Sequence, residues 1–187
     1  MSPRVAGRLA RLAVLARLAW LTCLLGLGAC ATLRPPPVEG GSWSGRLGWS
    51  IAATAGQPAQ QAGAGFELRG SATEGWLELT SPLGTLLARA TWRSGSAELD
   101  TVAGRSRHDD LASLSRAAFG GQEMPLVALF DWLRGRPWPG APHEAQPDGF
   151  SQLGWLVDVR ALGDGRLTAR RPAEPAVTLR VRLEGAP

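Results

Sequence analysis

The chain has 187 residues, with 20 basic and 16 acidic side chains, two cysteines, two histidines, eight tryptophans and no tyrosine. Every basic residue apart from the histidines is arginine, which excludes a Walker A loop and any lysine Schiff base. His108 and His143 are too few to build a zinc cage once the cysteines are accounted for, so no metal site and no cofactor are expected.

The N-terminus reads as a leader. Arg4, Arg8, Arg11 and Arg17 make a basic start with no acidic residue before Glu39, and Leu18–Ala29 is a run of 12 apolar or small residues. A membrane-spanning helix needs about 20, so basic start and short apolar run together indicate a secretory signal. Its end, Leu27-Gly28-Ala29-Cys30, resembles the bacterial lipoprotein signal, which is cleaved just before a cysteine that takes a diacylglyceryl group. The plainer alternative is an ordinary signal with a chance cysteine. In such signals an aspartate after the cysteine marks inner-membrane retention; Ala31 stands there instead and points to the outer membrane.

The expected organisation is a signal over 1–29, a lipidated Cys30 with a tether rich in Pro and Gly to residue 42, and one domain over 43–187. Pro35, Pro36 and Pro37 favour extended chain in the tether. Removal of the leader leaves 158 residues, sixteen arginines against sixteen carboxylates, and no thiol besides Cys30. The basic excess therefore belongs to the leader and is no footprint of nucleic acid. A disulfide framework is excluded too.

From Trp43 onward the dominant period is two, the mark of antiparallel strands with one dry and one wet face. Trp43, Leu47, Trp49 and Ile51 share a face; so do Phe66 and Leu68, and then Leu77 and Leu79. Leu86, Ala88, Ala90 and Trp92 follow, then Trp155, Val157 and Val159, then Val177, Leu179, Val181 and Leu183. Ser94-Gly95 and Asp164-Gly165 supply turns between runs. Ala53–Gly65, with its glycines, glutamines and Pro58, reads as a mobile loop, and the Pro- and Gly-rich 136–152 reads as a loop.

Two helices interrupt the strands. The first starts at the acids Asp109-Asp110, carries Leu111, Leu114 and Ala118 on one stripe and stops before Gly120-Gly121. The second opens at Pro125, places Leu126, Leu129, Phe130 and Leu133 at i, i+3, i+4, i+7 and stops at Gly135. His108-Asp109-Asp110 has the composition of a base with carboxylate partners, but a helix start explains it better. Gly104-Arg-Ser106-Arg-His108 lacks the second glycine of a nucleophile elbow, and Gly63-Ala-Gly65 runs into Phe66 rather than a dinucleotide loop. No catalytic constellation remains, so no enzyme is expected. The architecture implied is mainly β with inserted helices: one curved sheet, helices over its dry face, large enough to enclose an apolar cavity.

Several short motifs, in order, resemble the LolB family of outer-membrane lipoprotein receptors. They are Trp43-Ser-Gly-Arg-Leu47, Leu79-Thr-Ser-Pro-Leu-Gly84, Ala97-Glu-Leu-Asp100 before Gly104-Arg105, Asp109-Asp110-Leu111, Met124-Pro-Leu126 and Trp132-Leu-Arg-Gly-Arg-Pro137. The resemblance implies an unclosed antiparallel β-barrel (half-barrel) enclosing an apolar cavity, covered by a helical lid. It implies acyl chains as ligand, handed over by a periplasmic lipoprotein carrier (LolA-like) and released into the inner leaflet of the outer membrane. A monomer is expected, although the sequence does not fix the oligomeric state. It also matches Leu83, between Pro82 and Gly84 at a hairpin tip, to a family leucine needed for membrane insertion.

Candidates for the acyl cavity are Leu47, Trp49, Ile51, Phe66, Leu68, Leu79, Leu86, Trp92, Leu126, Phe130, Leu133, Trp155, Val157, Leu179 and Val181. Trp49, Trp92 and Trp155 would serve equally as plain core. The alternative for Leu83 is that it folds back on its own hairpin, and Trp76, beside Glu74 and Glu78, is either an interfacial anchor or an exposed cross-strand partner. Two other functions stay open: an envelope lipoprotein for a different apolar ligand, and a structural or assembly lipoprotein with a solid core.

Overall fold

The computed structural model describes residues 40–118 and 124–185. The leader, Cys30 and nearly all of the tether therefore lie outside the described residues. The described chain forms eleven strands: β1 (Gly41–Ile51), β2 (Gln60–Gly70), β3 (Gly75–Thr80), β4 (Leu86–Arg93), β5 (Ser96–Thr101), β6 (Gly104–His108), β7 (His143–Gln146), β8 (Gly149–Gln152), β9 (Trp155–Asp158), β10 (Arg166–Arg171) and β11 (Val177–Leu183). Helices α1 (Leu111–Ala118) and α2 (Leu126–Trp132) fall between β6 and β7.

All eleven strands belong to one sheet, in the order β6-β5-β4-β3-β2-β1-β11-β10-β9-β8-β7. Neighbours are antiparallel throughout, and β1 joins the two halves by pairing with β11 from Gly45↔Leu183 to Ile51↔Val177. The sheet does not close: β6 and β7 are its two free edges. One face is dry. Phe66, Leu68, Leu77, Ala90, Trp92, Leu99, Val157, Leu167, Leu179 and Val181 from that face form one core with Leu111, Leu114, Leu126, Phe130 and Trp132 of the helices. The unclosed antiparallel sheet under a helical cover is the architecture expected.

Two loops of the sequence reading are strands. Gln60–Gly65 was expected to be mobile, yet β2 starts at Gln60 and pairs with β1 along its whole length, Ile51↔Gln60 to Gly41↔Gly70. Gln, Ala and Gly have little intrinsic preference for a strand; here the ladder to β1 decides. The stretch 136–152 likewise contains β7 and β8, paired His143↔Gln152 to Gln146↔Gly149 around a Pro147-Asp148 turn. Gly41 and Ser42, assigned to the tether, already pair with Gly70 and Arg69.

The first helix begins as its acids suggested. The Ser113 amide donates to Asp110 Oδ1 at 2.7 Å, and the Ser113 hydroxyl donates to the Asp110 carbonyl at 3.0 Å. Leu111 and Leu114 are buried, whereas Ala118 is exposed. His108 is engaged with the Ser106 hydroxyl at 3.0 Å, and Asp110 is spent on the cap, so the base-and-carboxylate reading has no geometry behind it.

Candidate functional site: the space under α2

Helix α2 lies along the dry face of the sheet, and its sequence explains why. Leu126, Phe130 and Leu133 point into the core, and Ala128 keeps the backbone close with no exposed surface of its own. Phe130 sits between two indoles, edge to face with Trp43 at 5.8 Å and with Trp92 at 6.0 Å. Such pairs add about 0.5–1.5 kcal/mol each beyond area burial. The Trp92 N–H donates to the Ser71 carbonyl at 2.9 Å, which satisfies the only polar atom of that ring. Arg134 lies over the Trp43 ring at 4.8 Å and donates to the Phe130 carbonyl at 3.0 Å.

Two apolar voids lie under the helices. The first, about 30 Å³, is lined by Leu47, Phe66, Leu68, Leu77, Trp92, Leu179 and Val181 of the sheet and by Met124, Leu126, Leu129, Phe130 and Leu133. One water needs about 10–15 Å³ of such space, so the void has room for only a very few small atoms. The second, about 60 Å³, lies between α1 and strands β3–β5, walled by Leu79, Ala88, Ala90, Leu99, Thr101, Leu114 and Ala118. Leu77 and Leu126 line both. Pockets for small molecules are about 300–1,000 Å³. The walls thus have the chemistry of an acyl site, while the space is nearly collapsed.

Of the fifteen cavity candidates, Leu47, Phe66, Leu68, Trp92, Leu126, Phe130, Leu133, Leu179 and Val181 stand on the wall of the first void, and Leu79 on that of the second. Ile51 packs at the margin of the core. Trp155 and Val157 are buried with Trp132, whose ring lies 6.3 Å from that of Trp155. Trp49 is half-buried and outside the core cluster. Leu86 is 41% exposed, against its expected place on the dry face. The register slips between Leu79 and Thr80, so Leu86 pairs with Thr80 and the alternation that holds from Ala88 to Trp92 is broken there. Trp76 corrects both readings of its ring: it is only 8% exposed, on the sheet face opposite Leu77, under the guanidinium of its cross-strand neighbour Arg69 at 5.5 Å.

Gln152 was missed altogether, because its segment read as loop. Its side chain is buried and fully used. Its Oε1 accepts from Trp132 Nε1 and from the Trp138 amide, each at 2.9 Å; its Nε2 donates to the carbonyls of Trp138 at 2.7 Å and Ala141 at 2.9 Å. Asp131 adds an ion pair to Arg136 at 2.8 Å. The last turn of α2 is thus fixed to β8 and to the chain that follows. Among the described residues its first turn has no side-chain cap, and the Ser115 hydroxyl of α1 donates to the Met124 carbonyl just before it at 2.6 Å. A glutamine at the end of an alternating pattern was the signal available in the sequence; nothing marked it as buried.

Leu83 stands apart from all this. It is 95% exposed at the tip of the β3–β4 loop, so it does not fold back on its hairpin. The Ser81 hydroxyl accepts from the amides of Leu83 at 3.3 Å and Thr85 at 3.1 Å, and the Gly84 amide donates to the Ser81 carbonyl at 2.9 Å. Among the described residues no group of His, Cys, Asp or Glu is arranged to hold a metal ion, and no helix is long and apolar enough to cross a membrane.

Comparison with known proteins agrees with the geometry. Residues 42–181 match the family model described as outer membrane lipoprotein LolB. The chain is 31% identical to the outer-membrane lipoprotein LolB of Thiobacillus denitrificans, covering 82% of this chain and 84% of that one. It is 32% identical to that of Bordetella petrii over 88% and 89% of the two chains, and 34% identical to that of Bordetella parapertussis over 88% and 90%. An open antiparallel sheet, an apolar space under a helix and a family match over residues 42–181 lead to one assignment: the chain belongs to the LolB family of outer-membrane lipoproteins.

Proposed function

We propose that this protein is an outer-membrane receptor of lipoprotein localisation that takes acyl chains under α2 and passes them to the membrane. A lipid on Cys30 anchors it to the inner leaflet, and a soluble periplasmic carrier of LolA type delivers the cargo. The observation that supports this best is the helix over the voids. Its underside and the facing sheet are apolar, and among the described residues its last turn is tied by side-chain hydrogen bonds while its first turn has no side-chain cap. Acyl chains entering between Leu126 and Leu77 would lift the first turn and keep the last in place.

No energy source is required. If acyl chains bind this site more tightly than the carrier's and the bilayer more tightly still, each tenfold step needs about 1.4 kcal/mol. Moving Leu83 from water into lipid yields about 1.5–3 kcal/mol. That is too little to anchor a protein and enough to hold the loop against a bilayer already near. Durable attachment takes more than one lipid signal, which the modified Cys30 would supply.

The small voids favour a second reading, a lipoprotein with a solid core and a structural role. One experiment separates the two. Anchor-free protein is mixed with carrier loaded with lipoprotein, and cargo is followed into the receptor and then into liposomes, with Leu83→Glu run in parallel. The receptor reading expects wild type to take and deliver cargo, and the variant to take it but deliver at least tenfold more slowly. Wild type that takes no cargo leaves the structural role.

A further inference from the structure

The hairpin connections divide between two rims of the sheet, and the two rims differ in chemistry. From the strand registers, the connections 52–59, 81–85, 102–103, 153–154 and 172–176 lie at one end of the strands; 71–74, 94–95, 147–148 and 159–165 lie at the other. The first set holds a single charged residue, Glu174, while the second holds Glu74, Asp148, Arg160 and Asp164. The first set also holds the turn leucines and valine that stand in water: Leu83 at 95%, Val102 at 89% and Leu153 at 48% exposed.

Val102 is the near neighbour of Leu83 on this rim. Ala88 pairs with Thr101 and Leu79 with Ala88, so the β5–β6 turn stands beside the β3–β4 loop. Across the sheet the two hairpins are about two strand spacings, roughly 10 Å, apart; along the strands the β5–β6 turn closes level with Leu87, short of the loop that follows the Thr80↔Leu86 pair. They are also built alike. In each, a hydroxyl on the residue opening the turn takes the turn amides: Ser81 those of Leu83 and Thr85, Thr101 that of Ala103 at 3.2 Å. Thr101 donates in turn to the Gly104 carbonyl at 3.2 Å. Gly84 (φ 83°) and Gly104 (φ 127°) supply the backbone angle that closes each turn.

This construction matters where water is scarce. A tip that enters lipid must bring few unpaired backbone donors and no lone charge. Both tips meet that condition. The nearest strand charges are paired as well, Arg89 with Glu78 at 2.7 Å and Arg105 with Asp100 at 2.9 Å.

We propose that Val102 is a second membrane-inserting tip, acting with Leu83, and that this rim, whose hairpin connections carry Glu174 as their one charge, is the face the protein lays against the phospholipid bilayer. The proposal rests on the reading of Leu83 as a membrane contact and extends it from one loop to a two-point footing. Two tips fix an orientation where one allows the protein to swing. The footing also places the second void, whose wall includes Ala88 and Thr101, next to the membrane-facing end of the strands.

The test uses the full lipidated chain in vesicles of phosphatidylethanolamine and phosphatidylglycerol. V102C, L83C and S94C each give a mature chain with one free thiol, labelled with an environment-sensitive dye and challenged with lipids carrying a shallow nitroxide. Quenching at 102 of at least half that at 83, with none at 94 on the opposite rim, is the expected result. Quenching at 83 and not at 102 overturns the two-point footing and leaves the Leu83 reading standing. Absence of quenching at both sites overturns both. Should V102C fold poorly, cargo delivery by Val102→Glu gives a second readout: a fivefold or greater loss with uptake retained is expected, and unchanged delivery overturns the proposal.

Discussion

The two ends of α2 meet different surroundings. At the first turn Leu126 lines two voids with apolar walls, and the helix has no side-chain cap there among the described residues. At the last turn Trp132 stands among Phe150 and Trp155 and donates to Gln152, which in turn holds the backbone of Trp138 and Ala141. Aliphatic contact is non-directional and tolerates sliding. A buried amide with every donor and acceptor used does not, since each group left unpaired costs about 1–3 kcal/mol. The first turn is therefore the softer end of this helix and the last turn the stiffer one.

The sharpest way to break this comparison is to remove the softness. Cysteines replacing Leu77 and Leu126, the two residues shared by the voids, joined by a short cross-link, would fix the first turn to β3. Transfer of lipoprotein from the carrier should fall to background and return on reduction. A cross-linked protein that still takes cargo would show that α2 need not move.

The stiff end is tested by Gln152→Leu. The change leaves the Trp132 N–H, the Trp138 N–H and two carbonyls without their partner. Water can reach some of these, so denaturant titration should show a loss of about 2–4 kcal/mol rather than the full sum. A loss within about 0.5 kcal/mol, the range of surface changes, would mean that the last turn is no better anchored than the first.

How much of this the sequence disclosed follows a physical line. Strands with alternating large apolar residues were legible: Phe66 and Leu68, Leu77 and Leu79, Val177 to Leu183 all face the core or its margin as their period implied. The helices were legible from their caps and spacing, Asp110 above all. Strands whose side chains carry no pattern were not. Gln60–Gly65 and His143–Gln146 are ordered by their neighbours' ladders, which composition cannot reveal. Leu86 was misplaced because a bulge shifts the register within a run that looks regular. The wall of the site was visible as apolar period; the Gln152 network was not, since a glutamine looks the same in solvent as when buried.

The smallest expected effect concerns the start of the cover rather than α2 itself. The amide of Ser113, donating to Asp110, holds that carboxyl below its ordinary value. A group whose pKa is lower in the folded state contributes stability above its unfolded pKa, near 3.9, and loses it as pH falls through the folded value. The first turn of α1 should therefore loosen only in acid, below about pH 4, with no change across neutral pH. The amide resonance of Ser113 reports it, because its hydrogen bond is to the titrating oxygen. Its midpoint should lie below that of a free aspartate and vanish in Asp110→Asn, where the amide oxygen still accepts but no longer titrates. Since Leu114 of the same helix lines the second void, acid should also speed exchange of amides in α1 before those of the last turn of α2. If both loosen together at the same pH, the cover opens as one unit, and the contrast between a soft end and a stiff end gives way to a single hinged lid.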